Sequence, residues 1–514
     1  MTTNIIPYTD AVRPLDAIVA ALSLALLPLA LAACALDSNQ RDARDGVPAP
    51  SAAAADVPEG YRAEVAVSGL TYPTSIEFDD GGTMYVAEGG YMPGDATRTA
   101  RVLRVTGSGP SARRETYAKG FEAPITDLLF HDGKMYVSHK GKISVIEEGG
   151  KVRDVVTDLP SQGDHSNNQI VAGPDGRLYF GQGSATNNGV VGLDNHAFGW
   201  LEKHRDVCDK PAKDVVLAGG DYVTKNPFSK APNAVATTSA FHPFGQSAPA
   251  GTVVKGVTKA NGAVLRMDPD GSNLEVFAWG FRNPFGLVFG ADGSLYCADA
   301  GSDVRGSRAS ANEPEKLFQV KQDAWYGWPD YVAGVPIVDA RFRPKKSPPP
   351  RFVMRDHPTA ERPLLTFEPH ASVTKMDVSR NSAFGPVGEI FLGASGDQAA
   401  VTSEEDVRAG YWVRRVDPAM ATSRPFFGAR SGALGPKGRE YVETAGPKRI
   451  VDVRFSPDGL TLYVVDLGAL EYVDGPDGRK KPRPYPGTGV VWMIGADASA
   501  DAARRENPTG PQDR

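Results

Sequence analysis

The sequence predicts an all-β protein, a six-bladed β-propeller with a long insertion between two blades. Three observations lead to this prediction. The 514-residue chain carries 56 glycines and 41 prolines, an excess that disfavours long helices and indicates many turns. One hairpin pattern recurs six times along the chain. The copies are irregularly spaced, which indicates blades of one ring joined by loops of variable length.

Each copy of the pattern joins two alternating apolar segments through a tight turn, usually written Asp-Gly. Glycine after aspartate supplies the positive φ that a two-residue turn needs, so each copy predicts a β-hairpin. A single hairpin cannot bury its own apolar face, and radial stacking of six hairpins solves this problem. The second segment of each copy contains an aromatic residue: Tyr85, Tyr136, Tyr179, Tyr296, Phe391 and Tyr463.

The amino-terminal region predicts export. Residues 17–33 form an uncharged apolar run that follows Arg13 and ends in Leu-Ala-Ala before Cys34, a pattern typical of a lipoprotein signal peptide over 1–33. We expect a lipid anchor on Cys34 and a protein that faces the periplasm or the cell exterior. The alternative is an uncleaved anchor helix with an incidental cysteine.

The remaining chain divides into a tether, a folded body and a tail. Residues 34–57 are rich in Ala, Asp and Pro and predict a disordered tether, and the polar residues 497–514 predict a disordered tail. The propeller is expected over 58–496. Within it, an insertion at about 190–261 shows little strand pattern and is expected to cover one end of the propeller, where loops shape binding sites.

Composition argues against several functions. The net charge is −6, from 56 basic and 62 acidic residues, and no stripe of basic and aromatic residues suits nucleic acid. The chain has three cysteines, Cys34, Cys208 and Cys297. They are too few for a disulfide scaffold or a cysteine-based zinc site, and the sequence contains no CxxCH motif for the attachment of a c-type haem. Whether Cys208 and Cys297 pair stays open, although an apolar strand around Cys297 favours a buried free thiol. Redox chemistry therefore needs another cofactor.

Two polar segments carry candidate chemistry. His165 enters the inner strand of the third hairpin, where a neutral imidazole can act as a general base in the central funnel; a solvated loop histidine is the alternative. Arg282 precedes the fourth hairpin, and its planar guanidinium suits a carboxylate or quinone oxygen, or else braces a loop between blades. Backbone carbonyls around Gly301, after that hairpin, suit a calcium ion.

The chain resembles the soluble quinoprotein glucose dehydrogenase and sorbosone dehydrogenase family over most of residues 60–495. That family consists of six-bladed propellers that oxidise sugars with pyrroloquinoline quinone and calcium. An Asp-His before a PDG hairpin, GxRNPxGL and YGWP follow one another here in the family's order. The segments that carry the resemblance are GDHSNNQIVAGPDGRLYFGQG, GFRNPFGLVFGADGSLYCADAG, WYGWPDY and KRIVDVRFSPDGLTLYVVD.

The resemblance implies a role for each matching residue. His165 would take the hydroxyl proton of the sugar while hydride passes to the quinone. Arg282 and Asn283 would hold the quinone oxygens, and Arg449 would contact a cofactor carboxylate. With no haem domain, electrons would pass to a separate carrier or a membrane quinone.

The resemblance also implies a calcium site and further cofactor contacts. The carbonyls of Gly301 and Ser302 match the positions that bind calcium, and serine in place of the usual proline matters little because the ligand is backbone. Asp164, beside the histidine, is a cofactor-binding candidate. Glu122 stands roughly where a glutamine of the family contacts the quinone.

Three further positions depart from the family pattern. Ser184 replaces the carboxylate that orients the catalytic histidine, Val451 replaces the second arginine of R-x-R-D-V, and no cofactor-contacting lysine lies near residues 395–397. Fewer cations weaken the binding of a tricarboxylate cofactor. Two other functions therefore stay open. One is a calcium-dependent lactonase that uses residues such as Glu122, Asp164 and Asn283, and the other is a propeller that binds carbohydrate or protein without catalysis.

Overall fold

The computed structural model describes residues 46–95, 99–398, 403–404, 408–475 and 480–497. Its main sheets form a six-bladed β-propeller with a long insertion, which confirms the predicted fold. The predicted signal peptide with Cys34, residues 35–45 of the predicted tether and residues 498–514 of the predicted tail lie outside the described residues. Among the residues described, no helix is long and apolar enough to cross a membrane.

Two amino-terminal strands close the ring. β1 (Ala55–Asp56) pairs with the outermost strand of the fifth blade, and β2 (Tyr61–Leu70) pairs with an outer strand of the sixth. The chain is therefore folded from a 3₁₀ turn at Ala52–Ala54 onward, a few residues before the predicted start at 58. Because β2 comes from the start of the chain, the last blade forms only when the two ends of the propeller meet.

Each blade is an antiparallel sheet whose first strand lies nearest the axis. Neighbouring first strands contact one another around the ring, and the sixth contacts the first. The first three blades, with the insertion of the third, comprise β3 (Pro73–Phe78), β4 (Met84–Glu88), β5 (Arg101–Thr106), β6 (Arg113–Lys119); β7 (Ile125–His131), β8 (Lys134–His139), β9 (Lys142–Ile146), β10 (Val152–Val156); β11 (Asn167–Ala172), β12 (Leu178–Gln182), α1 (Leu193–Ala197), α2 (Trp200–Lys203), β13 (Val215–Val216), β14 (Tyr222–Lys225), β15 (Val235–Thr238), β16 (Val253–Val254), β17 (Ala263–Met267) and β18 (Glu275–Trp279).

The last three blades follow the same plan, with shorter additions in the fourth and sixth. Their strands are β19 (Pro284–Phe289), β20 (Leu295–Asp299), β21 (Glu315–Val320), β22 (Tyr331–Val332), β23 (Val335–Pro336), β24 (Leu365–Phe367); β25 (Val373–Val378), β26 (Ile390–Ala394), β27 (Trp412–Asp417), β28 (Thr422–Ala429); β29 (Ile450–Phe455), β30 (Thr461–Asp466), β31 (Leu470–Asp474), β32 (Lys480–Pro484) and β33 (Gly489–Ala496). Short 3₁₀ turns also lie at Gly109–Ser111, Glu148–Gly150, Ala340–Phe342 and Ser431–Ala433.

The recurring hairpin has a local chemical cause. In the second blade, the central turn residues Asp132 and Gly133 have φ values of 49° and 68°, as a type I′ turn requires. In three other hairpins the aromatic residue of the pattern is a tyrosine whose hydroxyl donates to the aspartate of its own turn. These pairs are Tyr85 and Asp79 at 3.2 Å, Tyr179 and Asp175 at 2.8 Å, and Tyr296 and Asp292 at 3.1 Å.

The insertion of the third blade lies between Gln182 and Ala263, slightly longer than the predicted 190–261. It is anchored to the ring at several points, among them Leu217, which forms a β-bridge with Met354 of the fourth-blade addition. One buried cluster contains apolar side chains of the insertion and of the third blade, together with Trp325 and Trp328. The insertion therefore packs as part of the propeller.

The axis of the propeller holds a buried ion cluster. Lys375 Nζ donates to Asp127 Oδ1 at 2.9 Å and to the carbonyl of Thr74 at 2.8 Å, and lies 3.3 Å from Asp452 Oδ2. Ser75 Oγ lies 3.0 Å and 2.9 Å from the same two carboxylates. These residues come from four different inner strands, so the cluster ties blades 1, 2, 5 and 6 together.

Replacing Lys375 tests this cluster. Lys375→Met removes the ammonium group and leaves two buried carboxylates without their shared cation, so the free energy of unfolding should fall by about 3–5 kcal/mol. Chemical denaturation measures the change. Lys321→Met is the control, because Lys321 is 62% exposed in its ion pair with Glu361 and should cost less than about 1 kcal/mol. Equal losses in the two variants would contradict a structural role for the axial cluster.

Candidate functional site

The candidate residues gather at one end of the propeller, which we call the mouth. It is the end at which the inner strands begin, opposite the Asp-Gly turns. His165, Arg282, Arg449 and Glu122 each lie within three residues of the start of an inner strand. The ring topology therefore places residues that are far apart in sequence around one opening.

The ring of His165 is held by Ser184. His165 Nδ1 lies 2.9 Å from the carbonyl oxygen of Ser184 and 3.2 Å from its Oγ. The Ser184 hydroxyl donates to the carbonyl of Thr186 at 2.6 Å, so both serine oxygens act as acceptors toward the ring. His165 Nδ1 therefore carries the proton, and Nε2 keeps its lone pair. Within the described part of the chain, Nε2 has no hydrogen-bond partner.

The surroundings of His165 favour its neutral form. Burial, with the nearby guanidinium groups of Arg282 and Arg305, holds the pKa of His165 well below its usual value. The carbonyl of Ser184 and the carboxylate of Asp303 act in the opposite direction but are weaker. Neutral imidazole at physiological pH is the form that can accept a proton.

Asn283 lies directly beside His165. A Cβ at Gly183 would collide with the Cβ of His165 and would come within 2.6 Å of Asn283 Oδ1, so these residues converge where only glycine fits. Asn168 Nδ2 donates to Asn283 Oδ1 at 2.8 Å. This bond leaves Asn283 Nδ2 as a donor, without a partner among the residues described.

The backbone of Arg282 and Asn283 is fixed by one carboxylate. Asp299 Oδ1 accepts from Arg282 N at 3.0 Å and from Asn283 N at 2.7 Å. The buried guanidinium of Arg282 donates to the carbonyl of Asn187 at 3.2 Å and to its Oδ1 at 2.8 Å, and lies 3.3 Å from Asp303 Oδ2. Arg282 thus braces two loops, and its positive charge acts on the nearby ring of His165.

Gly301 and Ser302 have carbonyls available for a cation. Their backbone N–H groups donate to Glu315 Oε2 at 3.3 Å and Glu313 Oε2 at 3.0 Å. Neither carbonyl accepts a hydrogen bond from the residues that the structure describes. Oxygen donors of this kind suit calcium. No group of three or more His, Cys, Asp or Glu side chains in the described ranges is arranged to hold a metal, so a cation here would rest on the carbonyls.

The guanidinium group of Arg449 is hydrogen-bonded to backbone carbonyls. Its guanidinium donates to the carbonyls of Ser395, Gly396 and Asp397 at 3.2, 3.3 and 3.2 Å and lies 5.3 Å from the centre of the Tyr411 ring. Val451, at the departure from the family pattern, packs into an apolar cluster between blades 6 and 1. Arg449 therefore stands without the second arginine of the family pattern, and it already holds the loop of residues 395–397.

Asp164 belongs to a buried ion cluster behind His165. Its Oδ2 accepts from Arg305 at 2.8 Å and its Oδ1 from Asn195 at 3.1 Å. Arg305 also pairs with Asp194 at 2.6 Å and Asp303 at 3.2 Å. With all these contacts inside the protein, Asp164 supports the loop of His165, whereas the prediction made it a direct cofactor contact.

Glu122 is exposed at the rim of the mouth. Its backbone N–H donates to His139 Nδ1 at 3.1 Å, and the other ring nitrogen of His139 lies 2.7 Å from Ser144 Oγ, which donates to Asp154. The structure thus brings His165, Arg282 and Asn283 together, while the contact found for Glu122 is with His139.

Several residues of the mouth were not singled out by sequence reasoning. Asn187, Asp303 and Arg305 contact the predicted residues directly, and His370 Nδ1 lies 4.0 Å from Asp303. The polar runs TNNG at 186–189 and GSDVRGS at 301–307 are a weak sequence signal for Asn187, Asp303 and Arg305. His370, like His165, lies just before the start of an inner strand. Cys208 and Cys297 are free thiols, which answers the open question of their pairing.

No protein-family model and no curated protein matches the sequence. Solved structures match its fold. The holo form of the pyranose dehydrogenase PQQ domain from Coprinopsis cinerea is 15% identical, with a TM-score of 0.53, over 88% of this chain and 98% of that one. The iodide structure of a Trichoderma reesei carbohydrate-active enzyme of family AA12 is 15% identical, with a TM-score of 0.52 and the same coverage. At this identity, the likeness shows a shared propeller fold.

His139 gives this region a pH dependence. Burial lowers the pKa of its ring to about 4, and protonation at Nδ1 would break the hydrogen bond from Glu122. In the unfolded chain the ring takes up a proton as the pH falls below about 6.5, whereas in the folded protein it does so only near pH 4. The free energy of unfolding therefore decreases as the pH falls from about 6.5 to 4. Buried His139 contributes about 3 kcal/mol to that loss.

His139→Gln should therefore flatten the acid branch of the stability curve. Its free energy of unfolding should fall by about 3 kcal/mol less than that of the wild type between pH 6.5 and pH 4. Chemical denaturation at a series of pH values measures both slopes, and values at pH 8 correct for any constant offset. Parallel curves for the two proteins would contradict the assignment.

Proposed function

We propose that the protein is an exported, membrane-tethered sugar or aldose dehydrogenase that oxidises a sugar hydroxyl or hemiacetal with transfer of hydride to pyrroloquinoline quinone. The observation that carries the proposal is His165. Its Nδ1–H is held by Ser184, its ring is kept neutral, and the residue lies near Asn283 and Arg282. A base in this state can take the hydroxyl proton as hydride leaves the same carbon.

The donor set at the mouth fits the proposed cofactor and its calcium ion. Asn283 Nδ2 and the Arg282 guanidinium are donors suited to quinone oxygens, and the carbonyls of Gly301 and Ser302 suit calcium. When bound, the quinone would supply the hydride acceptor and calcium would polarise it. Arg282, fixed through Asn187, would orient its partner with little loss of side-chain entropy.

The fit is poorer where the cofactor carboxylates would lie. Arg449 already donates to three carbonyls, and Val451 adds no charge. We expect a weaker affinity for the quinone than a site with a second arginine and a lysine would give. The propeller fold shared with the PQQ domain of a pyranose dehydrogenase supports the choice of cofactor.

The lactonase alternative has less support. It needs Glu122, Asp164 and Asn283 to converge on one cation, yet Asp164 is paired with Arg305 and Glu122 is exposed at the rim. The proposed localisation follows from the apolar run before Cys34, and the proposed electron acceptor is a separate carrier or a membrane quinone. The substrate would be a small sugar.

A dye-linked assay tests the proposal. Purified protein with calcium and pyrroloquinoline quinone should reduce an artificial dye when an aldose is added. His165→Ala should lower kcat by about 10²- to 10⁴-fold, because a general base contributes this much. His131→Ala is the matched control, since His131 ends β7 next to the Asp-Gly turn at the opposite end of the propeller, and it should retain full activity.

Each other outcome of this assay has a defined meaning. If no sugar supports reduction of the dye and the protein does not bind the quinone tightly, the dehydrogenase is contradicted. Hydrolysis of a lactone without quinone would establish the lactonase instead. Carbohydrate or protein binding with neither activity would leave a non-catalytic propeller.

The calcium site has its own test. A Cβ at Gly301 would lie 2.6 Å from the carbonyl oxygen of Glu313 and 2.9 Å from that of Pro314, so Gly301→Ala should shift the segment that carries the two carbonyl ligands. Calcium affinity, measured by titration calorimetry, should fall about tenfold or more. Gly495→Ala is the control, because its Cβ would meet nothing within 4 Å. Unchanged affinity in Gly301→Ala would place calcium elsewhere.

A further inference from the structure

One loop holds both candidate residues at the mouth. Residues 183–188 follow β12 and begin the insertion. Within this loop, Ser184 accepts the Nδ1–H of His165, and Asn187 accepts from the guanidinium of Arg282 through its carbonyl and its Oδ1. Any displacement of the loop would therefore misplace the base and the arginine together.

Asp209 fixes this loop from behind. It lies further along the insertion and is 1% exposed. Its Oδ1 accepts from the backbone N–H of Ala185 at 2.6 Å, and its Oδ2 accepts from Thr186 Oγ at 2.5 Å. Thr186 Oγ in turn accepts from Gly189 N at 2.8 Å, which directs the threonine hydroxyl proton toward the carboxylate.

Asp209 is connected to His165 through two residues of the loop. Thr186, held through its side chain, presents its carbonyl to the hydroxyl of Ser184 at 2.6 Å. That bond leaves the Ser184 oxygen as an acceptor for the histidine. The chain of contacts runs from Asp209 through Thr186 and Ser184 to His165, and each link is a hydrogen bond.

The chemistry at position 209 requires a carboxylate. Two donors point at the side chain, and only a carboxylate accepts from both with separate oxygens. Asp209 forms no ion pair with a described residue, and burial raises its pKa to about 7. Burying such an acid costs stability, and Asp209 lies where its two hydrogen bonds hold the loop that carries Ser184.

We propose that Asp209 is a positioning residue for His165 and Arg282, which acts through the loop of residues 183–188 and maintains the Nδ1–H form of the histidine. The consequence for catalysis rests on the proposed function. The consequence for the tautomer of His165 does not, because it follows from hydrogen bonds within the protein.

Histidine labelled with ¹⁵N reports the tautomer in the cofactor-free protein. In the wild type, His165 Nδ1 should show the shift of a protonated nitrogen and Nε2 that of an unprotonated one, with the signals assigned by their loss in His165→Ala. In Asp209→Asn, which keeps one acceptor and turns the other into a donor, both shifts should move toward intermediate values. Asp209→Glu, which keeps the carboxylate, should restore them at least in part.

The control is Asp377→Asn. Asp377 is also a buried carboxylate that accepts from backbone N–H groups, those of Val378 and Phe455, each at 2.8 Å. This variant should lower stability and leave the His165 signals unchanged. Equal changes in the two variants would overturn the proposal, since the effect would then be general loosening, and unchanged signals in a folded Asp209→Asn would overturn it outright.

Kinetics gives the second measurement. With saturating cofactor, Asp209→Asn should lower kcat about tenfold or more while KM for the sugar changes little, because misplacement of the base affects the chemical step. A wild type without dehydrogenase activity would remove the proposed function and leave the tautomer experiment valid. An active Asp209→Asn with wild-type kcat would overturn the role of Asp209 in catalysis.

Discussion

The ammonium group of Lys375 is the point on which the ring depends. It joins the inner strands of blades 1, 2 and 6 to its own strand through Thr74, Asp127 and Asp452. A buried ion cluster of this kind adds little net stability compared with apolar packing, but it strongly disfavours arrangements in which a charge loses its partner. The angular order of the blades is thereby specified, and with it the relative positions of the loops at the mouth.

The blades could be predicted because their information is local. A turn of Asp and Gly sets each hairpin, and tyrosines such as Tyr179 donate to the turn aspartate four residues away. Alternation of apolar residues then assigns the buried face.

The path of the insertion could not be predicted in this way. Its segments are fixed by distant contacts, such as the bridge between Leu217 and Met354, that leave no periodic pattern in the sequence.

The same distinction separates the parts of the candidate site. His165, Arg282 and Asn283 lie in short motifs next to inner strands, and motif and topology together place them at the mouth. Asp209 and Arg305 hold the distant partners Ala185 and Asp164, and only the weak polar run around Arg305 marks either of them in the sequence. Ser184, which the sequence marks as a departure from the family's carboxylate, still holds the histidine ring. It does so through its backbone carbonyl as well as its hydroxyl.

The surroundings of His165 set a limit on how the site can work. Burial and two guanidinium groups keep the ring neutral at rest, and the same groups make the imidazolium that follows proton transfer costly. Ser184 offers hydrogen-bond acceptors and no negative charge to offset that cost. A base of this kind is weak, so its effectiveness must come from alignment of Nε2 with the substrate hydroxyl. Rigid support of the ring by residues 183–188 therefore matters more here than it would beside a carboxylate that raised the basicity of the histidine.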